Sequence, residues 1–310
     1  MQDNQDNQVT VFTVGGTDDA LEKSGVAPVR GRAARLPGAL QTALADRYPE
    51  PVARLLGEAM IVGALVARSL KFDGRLVVQC HGTNEGAISL LMADCTTDGH
   101  IRGYARYDDA ALKSVMLDNR NPGADALLGG GTFSMTIDQG PDTDLYQGLA
   151  AIEGQRLSDC AEHFFEQSDQ IPTMIRLAVG QEIGADGPEW TGGGIMIQRV
   201  AEDQARGETD DVYETARALL STVEDAELID PELPTDTLLY RLFNEDGVRV
   251  LDRQSISAEC RCSRERLENT LKSFDAAARA EMADEDGKIR ARCEFCDFEH
   301  VFAVADMEAA

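Results

Sequence analysis

The chain has 310 residues, with 29 Lys and Arg against 55 Asp and Glu, a net charge of −26. That length predicts two or three folded units. The charge argues against a nucleic-acid surface, whose affinity rests on cationic contacts that release counterions, and equally against docking on anionic lipid.

Residues 1–8 read as a disordered tail rich in Gln, Asn and Asp, with no basic residue of the kind that starts a secretory signal. Val9 to Val14 alternates at period two and predicts a strand. Gly38–Arg47 predicts a helix, broken by Pro49 and Pro51 from a second over Val52–Leu70. The second is apolar nearly all round, which predicts burial against a sheet. Its longest apolar run, Ala59–Ala67, is nine residues, whereas a membrane span needs about 20; the expected compartment is the cytoplasm. Phe72 to Gly74 predicts a turn. Arg75–Cys80, Ala87–Cys95 and His100–Tyr107 follow as a meander with a hairpin turn at Thr96–Gly99. Further strands are expected at Thr132–Ile137, Leu145–Ile152, Thr173–Val179 and Gly194–Val200, with a helix over Gln155–Ser168. Residues 9–200 therefore read as an α+β domain, a strand-rich sheet with packed helices.

The composition then shifts. Ala201 to Thr235 holds eleven acidic and two basic residues. Val212, Ala216, Leu219, Leu220 and Val223 still form a helical apolar stripe, and Thr235–Phe243 predicts another short helix. Residues 201–254 thus read as an acidic helical linker. Two readings stay open: a marginal connector opposed by its own charge, or an ordinary helical subdomain that packs well. Residues 255–310 form a small C-terminal unit, with Ser263 as the cap of a helix carrying Leu267, Leu271 and Phe274.

Seven cysteines are present, and four fall in the last 51 residues. Cys260-Arg-Cys262 is followed after 30 residues by Cys293-Glu-Phe-Cys296. Two close pairs bring four sulfurs to one point once the intervening segment folds back. Thiolates in a tetrahedron suit zinc, one ion per chain, and four of them leave no open position, so the site is structural. In so small a unit, metal binding supplies much of the folding free energy, about 10–16 kcal/mol in zinc-finger peptides. Such thiolates are also targets of oxidation, which destroys the ligand set. Cys80, Cys95 and Cys160 read as buried packing residues. Cys160 and His163 lack an orienting group for catalysis, and Gly129-Gly-Gly131 lacks the Lys of a nucleotide loop; no enzyme activity is expected. His300 reads as a partly exposed side chain outside an already closed ligand shell.

Cys260-Arg-Cys-Ser-Arg-Glu-Arg266 with Cys293-Glu-Phe-Cys296 resembles the redox-regulated 33 kDa chaperonin (heat-shock protein 33) family. Tyr48-Pro-Glu-Pro-Val52, Leu55-Leu-Gly-Glu58, Leu70-Lys-Phe-Asp-Gly74, Ser168-Asp-Gln-Ile-Pro172 and Gly192-Gly-Gly-Ile-Met-Ile-Gln198 look like further landmarks in family order. The resemblance implies an ATP-independent holdase of the stress response that binds unfolding client proteins. It implies Cys260, Cys262, Cys293 and Cys296 as zinc ligands and redox centres, a monomer when reduced, and a homodimer as a form of the oxidised protein. Oxidation would release zinc and form the disulfides Cys260–Cys262 and Cys293–Cys296. Two positions depart from the family pattern: Asp297 stands where many relatives have Gly or Asn, and His300 where Tyr is common. Two rival classes share the cysteines, a zinc-ribbon nucleic-acid binder, opposed by the charge, and a disulfide oxidoreductase, which would have to turn over.

Overall fold

The computed structural model describes residues 7–16, 27–70, 73–140, 143–184, 187–200 and 210–307. They fall into two compact units, Met1–Ala258 and Glu259–Ala310. In chain order the first unit contains strands β1 (Gln8–Val14) and β2 (Val29–Arg35), helices α1 (Pro37–Leu44) and α2 (Glu50–Ala67), and strands β3 (Arg75–His81), β4 (Ile88–Thr96) and β5 (Ile101–Tyr107). Helices α3 (Asp109–Asp118) and α4 (Ala124–Leu128), strands β6 (Thr132–Asp138) and β7 (Tyr146–Ala151), and helix α5 (Leu157–Phe164) come next. A π turn over Phe165–Asp169 leads into the long hairpin of β8 (Thr173–Gly184) and β9 (Gly187–Arg199). The unit closes with α6 (Asp210–Leu220), α7 (Asp225–Ile229), α8 (Thr235–Phe243) and β10 (Val248–Ser255).

These strands make two antiparallel five-stranded sheets, in the orders β10-β1-β2-β9-β8 and β5-β4-β3-β6-β7. The α+β expectation holds. Helix α2 packs on both sheets, which explains its composition: every residue except Glu50 and Arg54 is buried. Two of its glycines set the closeness of that packing. A Cβ on Gly57 would lie 2.8 Å from Val179 of β8, and one on Gly63 would lie 2.5 Å from the Cys95 sulfur of β4. Cys80, Cys95 and Cys160 are buried in this core as expected, and burial pushes the Cys80 thiol well up and Cys160 up to about 11.

A second core lies on the other face of the first sheet. Tyr213, Ala216 and Leu220 of α6, Leu228 of α7, and Leu238, Leu239 and Phe243 of α8 pack with Phe12, Val14, Val29, Ile195 and Ile197. Arginines of the sheet domain reinforce this docking. Arg156 pairs with Asp225 through two hydrogen bonds of 3.0 and 2.8 Å, Arg176 donates to the Val223 carbonyl at 3.0 Å, and Arg35 donates to the Leu233 carbonyl at 2.7 Å.

Several boundaries differ from the sequence expectation. The described part of the 201–254 segment packs as a helical subdomain and ends in a strand, β10, which pairs with β1 over Gln8–Val14. Residues 201–209 and Phe72 of the expected turn lie outside the described residues. Of the expected tail, residues 1–6 lie outside them too, but Asn7 and Gln8 are ordered. Gln8 opens β1, and the Asn7 side chain accepts from the Ala39 N–H at 2.8 Å. The first unit runs to Ala258, and the second starts at Glu259, four residues beyond the expected boundary. Strand β2 and helices α3 and α4 are additional to the predicted elements. Among the described residues no helix is long and apolar enough to cross a membrane.

Glu58 stands apart in the apolar α2. It accepts a hydrogen bond from the Leu157 N–H at 3.1 Å and lies 3.8 Å from Arg54. Burial raises its carboxyl from the ordinary 4.5 to about 7, more than Leu157, Arg54 and Arg156 lower it. The folded state thus holds a proton that the unfolded chain releases between those values. The stabilisation is complete below the unfolded value and is lost as pH rises through about 7. Wild type should therefore lose about 3 kcal/mol relative to Glu58→Gln between pH 4.5 and pH 8. Urea unfolding read by the sole tryptophan, buried Trp190, measures this in the first unit. A pH-independent difference between the two proteins would show that Glu58 does not titrate there.

Candidate metal centre

The second unit builds its site from two turns. Ser263 accepts from the Arg266 N–H at 3.2 Å and caps helix α9 (Arg264–Lys272), as the sequence suggests. This fixes the chain just after Cys260 and Cys262. Helix α10 (Ala276–Met282), capped by Asp275, precedes a hairpin of β11 (Lys288–Arg292) and β12 (Glu299–Ala303). Cys293 and Cys296 sit in the loop of that hairpin. The Cys293 N–H donates to the Phe298 carbonyl at 2.9 Å, and the Asp297 N–H donates to the Cys293 carbonyl at 2.8 Å. Closing so tight a loop forces Asp297 to φ 63°, the left-handed region that favours glycine. Its carboxylate pairs with Arg292. The core beneath is small: Leu271, Ile289, Phe302 and Met307.

The four sulfurs of Cys260, Cys262, Cys293 and Cys296 lie within 4.8 Å of one another. Cys260 is 3.7 Å from Cys293, and Cys262 is 3.5 Å from Cys296. A tetrahedron with metal–sulfur distances of about 2.3 Å has edges of about 3.8 Å, so the donor set fits a zinc-sized ion. Among the described residues this is the one such cluster of metal-binding side chains. Cys260, Cys262 and Cys293 are half-buried and Cys296 is exposed. Burial pushes the Cys260 thiol up, but the Cys262 backbone N–H and the neighbouring sulfurs outweigh it and bring Cys260 down to about 7. Burial and the neighbouring sulfurs push Cys262 up, and burial leads in raising Cys296. One thiolate thus raises the barrier to the next, and four can coexist only around a cation.

His300 corrects the sequence reading. It is buried, at 8% exposure, and no partner meets its Nε2 among the described residues. Its ring packs edge-on to Phe298 at 4.7 Å and against Phe302, on the hairpin rather than in the sulfur cluster. Arg264 is a feature the sequence reading missed. Its guanidinium lies 4.4 Å over the Phe302 ring and donates to the Val301 carbonyl at 2.7 Å, so it joins the two turns. Cys160 and His163 form no reactive pair: the thiol is buried and points to the Glu153 carbonyl at 3.7 Å.

Comparison with known proteins gives the family. The family model described as Hsp33 protein matches residues 24–303. The 33 kDa chaperonin of Caulobacter vibrioides is 52% identical over 270 residues, covering 87% of this chain and 89% of its own. The chain belongs to the Hsp33 family. A more distant member, the 33 kDa chaperonin of Chromobacterium violaceum, is 35% identical over 283 residues, covering 90% of this chain and 88% of its own. The Hsp33 fold extends to a crystal structure of a 33 kDa chaperonin from Thermotoga maritima. The two share a TM-score of 0.73 at 21% identity, over 96% of each chain.

The left-handed Asp297 gives a local test. Asp297→Gly relieves a strained backbone, worth about 1 kcal/mol, and loses an exposed ion pair worth about 0–1 kcal/mol. Zinc affinity by chelator competition should change less than about tenfold. Asp297→Val places a β-branched residue in that region and should weaken zinc by more than the glycine does. Equal effects would mean that the turn geometry does not govern the site.

Proposed function

We propose that this Hsp33-family chaperone is an ATP-independent holdase whose activity is switched by oxidation of a four-cysteine zinc site. Membership of the family gives the chain a chaperone role. The switch rests on one observation, the convergence of the Cys260, Cys262, Cys293 and Cys296 sulfurs in a unit whose core has four buried apolar side chains. Zinc, when bound, keeps the four sulfurs ionised and the two turns together. Oxidation by a peroxide consumes the donors: two thiolates, one hydrogen peroxide and two protons give one disulfide and two waters. Two peroxides therefore remove the whole ligand set. The pairing within each motif, Cys260 with Cys262 and Cys293 with Cys296, follows the family resemblance; sulfur approaches of 3.7 and 3.5 Å run across the motifs.

Chain connectivity supports the coupling. Strand β10 ends at Ser255, five residues before Cys260. The Ile256 N–H donates to the Asn7 carbonyl, and Ser257 exchanges hydrogen bonds with Gly99 and Ile101. Loss of order after Glu259 therefore starts beside the strand that edges the first sheet. From there it reaches the helices over Phe12 and Val29. The clients are unfolded proteins, the reduced form is monomeric, the oxidised form includes a homodimer, and the compartment is the cytoplasm. Zinc release and suppression of client aggregation are measured on one sample treated with peroxide at mild heat. Both should rise together, and mass mapping should find the two disulfides. Zinc release without gain of client protection would overturn the switch.

A further inference from the structure

Strand β2 sets two cations side by side on one face of the first sheet. Val29 and Ala33 belong to the core under α6, α7 and α8, and Gly31 lies beneath the Phe12 ring of that same core. Strand alternation therefore turns Arg30 and Arg32 to the opposite face, the one that carries α2. Their Cα atoms are about 6.6 Å apart on that face. Arg30 lies opposite Thr13 of β1 and Gln198 of β9, and Arg32 opposite Val11 and Met196. Arg249 of β10 continues the row beyond Thr13. Arg30 is exposed and Arg32 half-buried. The Arg32 Nε is buried without an acceptor, and among the described residues neither guanidinium makes a hydrogen bond or an ion pair. The carboxylate across β1 from Arg32, Asp252, accepts instead from the Arg253 N–H and the Gln254 amide, at 2.8 and 3.1 Å. Burial, with Arg30 beside it, holds the Arg32 guanidinium down to about 10.

A buried donor left unmet is costly, the more so on a charged group. The chain has 55 Asp and Glu, yet none of those described pairs with Arg30 or Arg32. The counter-ion must come from outside. We propose that Arg30 and Arg32 bind a small phosphate dianion on this face of the sheet. Two guanidinium forks bring two positive charges, and a tetrahedral dianion offers oxygens to both, whereas one carboxylate fills one fork. Thr13 and Gln198 flank Arg30 with further hydrogen-bond donors. The ligand is small, because a net charge of −26 repels an extended polyanion. Binding would stabilise the sheet on whose other face α6, α7 and α8 pack. The site is independent of the cysteine switch.

Amide NMR shifts of the reduced full-length protein test this, with sodium phosphate replacing chloride at constant pH and ionic strength. We expect saturable changes, largest at 11–13, 30–32 and 196–198. Glycerol phosphate is the second arm: tighter binding than inorganic phosphate identifies an organic monoester as the ligand, and equal or weaker binding the free ion. Arg30→Gln, at an exposed position, should weaken binding at least tenfold with the fold intact. Arg32→Met keeps the packed stem and removes the unpaired charge. It should raise Tm in phosphate-free buffer and abolish the further rise that phosphate gives wild type. Arg120→Gln, exposed in the loop after α3, should change neither readout. A lower Tm for Arg32→Met with an undiminished phosphate response would leave Arg32 a packing role only and overturn the site. So would shifts that never saturate, or a loss of binding in Arg120→Gln equal to that in Arg30→Gln.

Discussion

Cys293→Ser is expected to weaken zinc binding at least about a hundredfold and to melt the second unit of the reduced protein. Outer-sphere partners of a metal are already worth about 10–100-fold, and this change removes a ligand. The serine hydroxyl is a poor donor and stays protonated where the thiol would ionise. Cys293 also anchors the hairpin loop through its own N–H and carbonyl. Without the ion, the turns at Cys260 and Cys293 are joined chiefly by Arg264 and by a core of Leu271, Ile289, Phe302 and Met307. That core is too small to order the unit alone. Zinc per chain by mass spectrometry and amide exchange over 264–282 and 288–303 report the two losses. Cys160→Ala should keep its zinc, because that sulfur is buried in the first unit. Full zinc retention by Cys293→Ser would mean that the ligands are misassigned. Loss of zinc with α9 and β11 still protected would mean that metal and folding are not coupled here.

The sulfur cluster was legible because metal chemistry dictates residue type and local spacing at once. Cys-x-Cys and Cys-x-x-Cys are written in the chain whatever surrounds them. Helix α2 was legible for a related reason, since burial on two sheets demands an apolar residue at nearly every position. Strand β2, Val-Arg-Gly-Arg-Ala-Ala-Arg, was not. Its arginines and glycine hide the strand period, and the glycine is explained only by a distant residue. A Cβ on Gly31 would lie 2.0 Å from the Phe12 ring. Strand β10 was missed because an edge strand is half exposed and reads as polar linker; its Leu251 is 57% exposed. The fate of the acidic segment depended on partners far away in sequence. Its stripe is thin, but Phe12, Val29 and Ile197 complete it, and Arg156 and Arg176 offset part of its charge at Asp225. His300 was misread because a histidine on a short hairpin gives no sign of the two phenylalanines that enclose it.

Phe243→Ala should release α8 from the first sheet and raise client protection by the reduced protein without any oxidant. Phe243 is fully buried and stacks on Phe12, with ring centroids 5.9 Å apart and planes at 23°. The Phe12 ring in turn covers Gly31, its partner on β2, so the strand, its neighbour and the helix form one layered contact. Truncating a buried phenylalanine costs about 3–5 kcal/mol. Helix α8 has only Leu238 and Leu239 besides Phe243 buried, and nine residues form no stable helix alone. The loss is therefore comparable to the whole docking energy of α8, and it uncovers Phe12 on the sheet. Strand β10, which follows directly and pairs with β1, loses its support from α8. The expected readout is faster amide exchange over 235–255, with zinc content unchanged because Cys260 to Cys296 are untouched. Aggregation of an unfolding client should then be suppressed by the reduced protein, to the level that the proposed switch expects of wild type after oxidation. Phe243→Leu keeps most of the buried volume and should lie between the two. If Phe243→Ala loosens α8 and β10 yet leaves reduced protein inactive, the uncovered face of the sheet is not a client surface, and the activating change lies in the cysteine unit itself.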